Sequence, residues 1–276
     1  MGEEKAAPAS ADQFNRILRF INEERGLDLC SYRQSFTTRH LRSRMNSLNI
    51  DNYLAYINYL KKNPREIDSF IEELSINVTH FFRDPDVFIA FQKGPLAELI
   101  GRKSKNNLNL IRIWSAACAS GQEAYSLAIM MSEAMAGRGD FVVKIRATDI
   151  DDSALRAAEK GEYEEKDLKE VGKKMLEKYF QPAYNGKYCI NEQIRKMVRF
   201  ERHNLITDPG LKFIDIIFCR NVMIYFTREQ QEALFDKFYQ SLNPAGYLVI
   251  AKVENIWKKE FFTGVDIYNR IYQRAG

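Results

Sequence analysis

From Leu110 to Ala251 short apolar runs alternate with amphipathic stretches, and this alternation constrains the fold more than any other feature of the chain. Leu110 to Ala116 is a strand candidate, Gln122 to Ala136 reads as a helix, Val142 to Thr148 as a second strand and Asp152 to Lys160 as a second helix. Further strands are expected at Met197 to Arg202, Phe213 to Cys219 and Gly246 to Ala251, with a helix from Thr227 to Leu242 before the last. Strands buried on both faces read as continuous apolar runs, and their alternation with helices predicts an α/β fold, doubly wound around a mostly parallel sheet.

Two regions depart from that pattern. Residues 11 to 77 repeat apolar side chains at three-and-four spacing, with Phe14, Leu18, Phe20 and Ile21 on or near one side of the first helix. Ser31 is placed to cap a second helix running to about Leu48, Asp51 a third through Leu60, and Pro64 suits the first turn of a fourth. The second departure is Tyr184-Asn185-Gly186-Lys187, where Asn-Gly tolerates the positive φ angles of a type I′ turn between strand formers Tyr179, Phe180, Tyr188 and Ile190. The expected organisation is a small N-terminal all-helical domain with linker over residues 11–84, then an α/β domain over 85–276 with a β-rich insertion at about 161–197.

Composition excludes several function classes. A formal net charge of +4 on 276 residues is too mild to indicate nucleic acid by itself, so a basic patch would have to be local. The four cysteines, Cys30, Cys118, Cys189 and Cys219, and the three histidines, His40, His80 and His203, are too scattered for a metal clip, so no metal is expected. The polar N-terminus carries neither an apolar signal nor an anchor, and Ala6 stands where myristoylation prefers Ser or Thr; a reducing cytoplasm is the expected compartment.

The candidate ligand site lies at successive strand ends. The first strand runs into Ser115-Ala116-Ala117-Cys118-Ala119-Ser120-Gly121, small residues that open directly into a helix and let a ligand approach the backbone. Small residues at a strand–helix junction also serve packing alone. Asp149, at the tip of the second strand, stands where doubly wound folds grip ribose hydroxyls. Helix capping is the competing explanation, and it suits Asp151 or Asp152 better. Glu123, in the first turn after Gly121, can pair with a ligand ammonium or merely complement the helix dipole. Asn204 and Leu205 follow the third strand, beside the expected adenine, and Arg220 and Asn221 end the fourth. The turn has one glycine and no adjacent Arg or Lys to cradle a diphosphate, which favours a cofactor with adenosine but no phosphates, S-adenosylmethionine, over a dinucleotide.

Four segments together resemble the chemotaxis receptor methyltransferases, the CheR family: Ile76-Asn77-Val78-Thr79-His80-Phe81-Phe82-Arg83; Trp114 to Cys118 with Gly121 to Leu127; Ala147 to Asp151; and Cys219 to Phe226. They stand in family order, and the likeness runs from about Asp12 through nearly the whole chain. The resemblance implies a class I, Rossmann-like methyltransferase fold. It also implies that Asn77, Thr79 and Arg83 close over S-adenosylmethionine while Glu123, Asp149, Asn204, Leu205, Arg220 and Asn221 line its pocket. The projecting hairpin looks like the family's β-subdomain, which in some members grips a receptor C-terminal peptide. Two departures stand out: Gly121-Gln122-Glu123-Ala124 replaces Gly-Glu-Glu-Pro, and Ala251-Lys252-Val253-Glu254-Asn255 replaces a Gly-His-Ser-Glu type of run near the expected active-site mouth.

The expected reaction is formation of methyl esters on glutamates of chemoreceptor cytoplasmic helices, with S-adenosylhomocysteine as the second product. Glutamate, with a solution pKa of about 4.3, is already a nucleophile at neutral pH, so the lack of a Cys/His or Ser/His/Asp constellation fits. Arg83 and Tyr225 are the candidates to hold the incoming carboxylate. On the second helix Leu41, Met45 and Leu48 share one face, with Arg39 and Arg42 roughly opposite; they are the candidate receptor-binding residues, steering an acidic substrate helix. A monomer without nucleic-acid or membrane insertion is expected. Two rivals are a methyltransferase acting on RNA or a small molecule, which alkali-labile methylation of protein would exclude, and a non-catalytic cofactor-binding scaffold, which turnover would exclude.

Overall fold

The computed structural model describes residues 8–74, 79–137 and 141–276, which separate into two units: a helical one, to which residues 225–227 also belong, and a sheet-based one over the rest. The helical unit comprises α1 (Pro8–Arg25), α2 (Gln34–Ser47), α3 (Tyr53–Lys62) and α4 (Arg65–Leu74). Phe14, Ile17, Ile21, Leu41, Met45, Tyr56, Leu60, Ile67 and Phe70 are buried, the apolar faces that the three-and-four spacing predicts. Two expected caps are corrected. The Ser31 hydroxyl donates instead to Asp28 at 2.6 Å within a short 3₁₀ turn, and α2 begins after Arg33 with no side-chain cap. Asn52, not Asp51, caps α3, its side-chain oxygen accepting from Ala55 N–H at 2.8 Å.

The sheet-based unit opens with α5 (Pro85–Phe91) and α6 (Ala97–Lys105), joined by one wide π turn at Gly94-Pro95. It continues with β1 (Leu110–Ala116), α7 (Gln122–Ala134), β2 (Val142–Asp149), α8 (Asp152–Lys160), β3 (Glu162–Tyr163), α9 (Lys173–Tyr179), β4 (Phe180–Pro182), β5 (Tyr188–Ile190) and α10 (Glu192–Arg195). Then follow β6 (Val198–Arg202), β7 (Ile214–Cys219), α11 (Arg228–Ser241), β8 (Leu242–Ile250), β9 (Phe262–Asp266) and β10 (Ile271–Arg274). Seven strands form one sheet in the order β6-β2-β1-β7-β8-β10-β9, the first five mutually parallel and β10 antiparallel to both β8 and β9. Strand order reverses at β1, so the crevice beyond the carboxyl ends of β1 and β7 is where such a sheet binds ligands.

The parallel strands fall where the apolar runs predict them, with two shifts: Phe213, expected to open a strand, has φ +61° and is exposed, so β7 begins at Ile214, and β8, expected from Gly246, already begins at Leu242. The β-rich insertion is a three-stranded sheet, β3-β5-β4, with Asn185 and Gly186 at φ +57° and +71° between β4 and β5. The β9–β10 pair has no counterpart in the sequence reading. Its turn lacks glycine and is held instead by Asp266, which accepts from Asn269 N–H at 3.0 Å and from its side-chain amide at 2.7 Å.

Candidate active site

The turn after β1 carries three successive departures from right-handed backbone, Ala117 (φ +63°), Ala119 (φ +47°) and Gly121 (φ +90°). A Cβ on Gly121 would lie 2.8 Å from the Ala158 methyl and 3.1 Å from the Phe200 ring, so conformation and space both demand glycine here. The turn is fastened from several sides. Cys118 N–H donates to Thr148 carbonyl at 2.9 Å, Ala119 N–H to Asp149 Oδ2 at 2.8 Å, and Tyr163 hydroxyl to Ser120 carbonyl at 2.9 Å.

Two carboxylates flank this turn. Asp149 is buried, and its Oδ1 accepts from Asp151 N–H at 3.0 Å while Asp151 caps α8 through Ser153 and Ala154. Glu123, its side chain 14% exposed, accepts from Ser115 hydroxyl at 2.9 Å and faces an Arg220 guanidinium nitrogen at 3.6 Å. Burial pushes both carboxyls above their ordinary range, opposed at Glu123 first by Arg220 and at Asp149 first by the Asp151 amide. Both also raise the buried Cys118 thiol, after burial itself, which marks the two as neighbours around one turn.

Arg220, at the end of β7, is 1% exposed in its side chain. It is paired with Asp84, lies over the Phe88 ring at 5.8 Å from its centroid, and keeps a buried Nε with no hydrogen-bond partner among the described residues. A buried, half-satisfied guanidinium between two carboxylates is suited to a ligand that supplies an acceptor. Asn221 follows with φ +62°.

Ahead of α5, Phe82 (φ +50°) and Asp84 (φ +56°) form a tight turn around Arg83. Phe82 N–H donates to Ser126 hydroxyl at 2.8 Å and Phe81 N–H to Asp167 carbonyl at 2.9 Å. The Phe81 ring meets Tyr163 and Phe180 edge-on, with centroids 4.8 and 5.0 Å away. Arg83 thus springs from a pinned backbone, and its charge helps to lower the Glu123 carboxyl.

The other expected site residues fall as follows. Thr79 lines a cavity of about 280 Å³ together with Ser120, Gln122, Tyr163 and Lys187. Asn204 spends its side-chain oxygen on Ile206 N–H at 2.9 Å, and its own N–H donates to Asp208 at 2.9 Å. Leu205 is buried, and its carbonyl accepts from Lys237 at 2.5 Å, as do those of Ile206 and Asp208. Asn204 and Leu205 therefore form a turn held by Asp208 and Lys237, with the polar groups of Asn204 engaged by Ile206 and Asp208. Asn77 lies outside the described residues. Tyr225 belongs to the helical unit, where Phe36 packs against it with ring centroids 4.5 Å apart. Arg39 and Arg42 are exposed on α2 while Leu41 and Met45 are buried, as expected.

Glu254 was not among the expected site residues. It is 4% exposed, its Oε1 accepts from Val222 N–H at 3.0 Å and Met223 N–H at 2.9 Å, and its Oε2 accepts from Ala251 N–H at 2.8 Å. It thus ties the loop carrying Asn221 to the end of β8, and burial raises its carboxyl despite those donors. Its retention within the otherwise divergent Ala251–Asn255 run was the available signal. Glu254→Gln presents an amide NH₂ to backbone N–H donors, so denaturant unfolding should show a loss of about 1 to 3 kcal/mol. A midpoint unchanged from the parent would mean that the loop closes without it.

A family model described as "CheR methyltransferase, SAM binding domain" matches residues 77–269, and one described as "CheR methyltransferase, all-alpha domain" matches residues 12–75. Among curated proteins, a "Chemotaxis protein methyltransferase" of Borreliella burgdorferi is 34% identical over 250 residues, covering 89% of this chain and 88% of that protein. Proteins of the same name from Listeria monocytogenes and Listeria innocua are each 35% identical over 238 residues, 86% of this chain and 88% of theirs.

Proposed function

This chain belongs to the CheR methyltransferase family, and from that premise we propose that it esterifies glutamate side chains on chemoreceptor cytoplasmic helices, using S-adenosylmethionine. The observation that carries the reading is the set of groups around one strained turn: Glu123 and Asp149 beside it, and Arg220 with a buried Nε unmatched among the described residues. The fit to this cofactor is chemical. Two carboxylates suit an ammonium and ribose hydroxyls, the spare guanidinium nitrogen suits a carboxylate, and the turn offers no basic side chain to a diphosphate.

When bound, the cofactor supplies an electrophilic methyl on a sulfonium. The chain's own work is positional. Glu123 and Asp149 hold the polar ends of the ligand, the Asn204–Leu205 turn bounds the adenine side, and Thr79 and Arg83 cover it. Arg83 and Tyr225 hold the acceptor carboxylate in line, by a charge-assisted and a phenolic hydrogen bond. No general base is required, since glutamate ionises at about 4.3.

Arg39 and Arg42 present the charge that draws in the acidic receptor helix. Replacing both with Glu is expected to raise KM for receptor and flatten its salt dependence while leaving cofactor affinity unchanged. A KM that does not move would reduce this face to solvated surface. Acting on cytoplasmic receptor helices places the protein's work in the cytoplasm, and we propose that it works as a monomer without nucleic acid. No described helix is long and apolar enough to cross a membrane.

The reading is tested by incubating the full chain with methyl-labelled S-adenosylmethionine and a purified chemoreceptor cytoplasmic fragment. A parallel fragment has its candidate glutamates replaced by alanine. Label confined to the first fragment supports the assignment; equal labelling of both, or binding of cofactor with no transfer, rejects it.

A further inference from the structure

Tyr225 is built into the helical unit through its main chain and its ring by separate contacts. Arg33 N–H donates to Tyr225 carbonyl at 2.9 Å and Thr227 N–H to Ser31 carbonyl at 3.0 Å, which makes an antiparallel bridge between Tyr32 and Phe226. Arg33 Nε adds a bond to Phe226 carbonyl at 3.2 Å, and the Tyr32 ring meets Phe226 edge-on at 5.1 Å. These contacts fix the backbone at Tyr225 but do not choose its side-chain rotamer.

The Tyr225 side chain packs on Phe36, whose ring lies 4.5 Å from the Tyr225 ring at 30° and so bears on that rotamer. Phe36 is itself immobilised: 6% exposed, stacked on Tyr32 at 6.0 Å, and packed against His40 at 4.6 Å. The guanidinium of Arg39 lies over the same ring, 5.7 Å from its centroid. One buried aromatic ring therefore touches both the tyrosine assigned to the acceptor carboxylate and an arginine assigned to the receptor helix.

We propose that Phe36 is a positioning residue for methyl transfer, setting the rotamer of Tyr225 and linking it to the α2 face that carries Arg39. The proposal rests on the reading of Tyr225 as a group that holds the acceptor carboxylate. Receptor engagement by Arg39 then occurs on the ring that orients the phenol, so docking and orientation share a contact. A ring that only filled the helical core would affect stability but would have no specific dependence on the Tyr225 hydroxyl.

The test is a double-mutant cycle in the full chain, with single-turnover transfer measured at saturating cofactor and receptor fragment. Phe36→Leu should lower the rate by roughly tenfold, as misplacement of an orienting group does, with cofactor affinity unchanged. Phe36→Tyr, which keeps the ring, should recover most of that rate. In a Tyr225→Phe background the Phe36→Leu change should have no further effect. Equal slowing by Phe36→Leu in both backgrounds would overturn the proposal, as would a Phe36→Tyr variant as slow as Phe36→Leu. A Tyr225→Phe enzyme with the parental rate would overturn both this proposal and the assignment of Tyr225 on which it rests. Should Phe36→Leu fail to fold, Phe36→Met keeps the volume without the flat ring and runs the same cycle.

Discussion

Arg83→Lys is expected to slow single-turnover methyl transfer by roughly tenfold to a thousandfold while cofactor affinity falls much less. The expectation follows from how Arg83 is mounted. Its neighbours Phe82 and Asp84 sit at φ +50° and +56°, conformations that persist only where the surroundings enforce them. Here the Ser126 hydroxyl and the Asp167 carbonyl accept from the backbone of Phe82 and Phe81, and the Phe81 ring is clasped by Tyr163 and Phe180. A guanidinium on so rigid a base can hold a carboxylate with two parallel bonds. Lysine preserves the charge that acts on Glu123 but loses the planar fork. Chemistry should suffer more than binding. A normal single-turnover rate combined with weakened cofactor binding would assign Arg83 to the cofactor alone.

Asp149→Ala is expected to weaken S-adenosylmethionine binding by at least about tenfold, since charge-assisted hydrogen bonds are worth roughly 1.5 to 3 kcal/mol each. The structure gives this residue one task and the proposed function adds a second. Its oxygens already accept from Ala119 and Asp151 N–H, so the carboxylate shapes the turn besides its proposed hold on the ligand. Each oxygen has a second lone pair, which leaves acceptor capacity for ribose hydroxyls. Alanine removes both functions at once, whereas Asp149→Asn retains one oxygen and should lose less affinity. Calorimetry on a folded Asp149→Ala variant that binds as the parent does would remove the residue from the site.

The parallel sheet was legible because β1 and β7 are apolar on both faces, and a run such as Ile214-Asp215-Ile216-Ile217-Phe218-Cys219 has few other places to go. Polar residues at the carboxyl ends of β2 and β7 pointed to Asp149 and Arg220, and the first turn of α7 pointed to Glu123. What the sequence left open depended on which of several nearby side chains took each donor, and on partners far away in the chain. Ser31 looked like a cap until Asp28 took its hydroxyl, and Asn52 outcompeted its neighbour Asp51 for α3. The β9–β10 turn is made by Asp266 and Asn269 rather than by glycine, so the usual hairpin signal was missing. Glu254 reads as one acid in a charged tail until its backbone donors from two separate loops are seen. Tyr225 follows Arg220 by five residues yet belongs to the helical unit, a placement made by Ser31, Arg33 and Phe36 nearly two hundred positions earlier.

The product is expected to be a methyl ester on a glutamate side chain, and the lability of that bond in base separates it from its rivals. Chemoreceptor-containing membranes would be incubated with the full chain and methyl-labelled S-adenosylmethionine, freed of unreacted cofactor, and treated with mild base. Protein-bound label is expected to leave entirely as volatile methanol, at a rate independent of nuclease treatment. Label that stays on the protein through base hydrolysis, or that partitions with RNA or a small molecule, would contradict it.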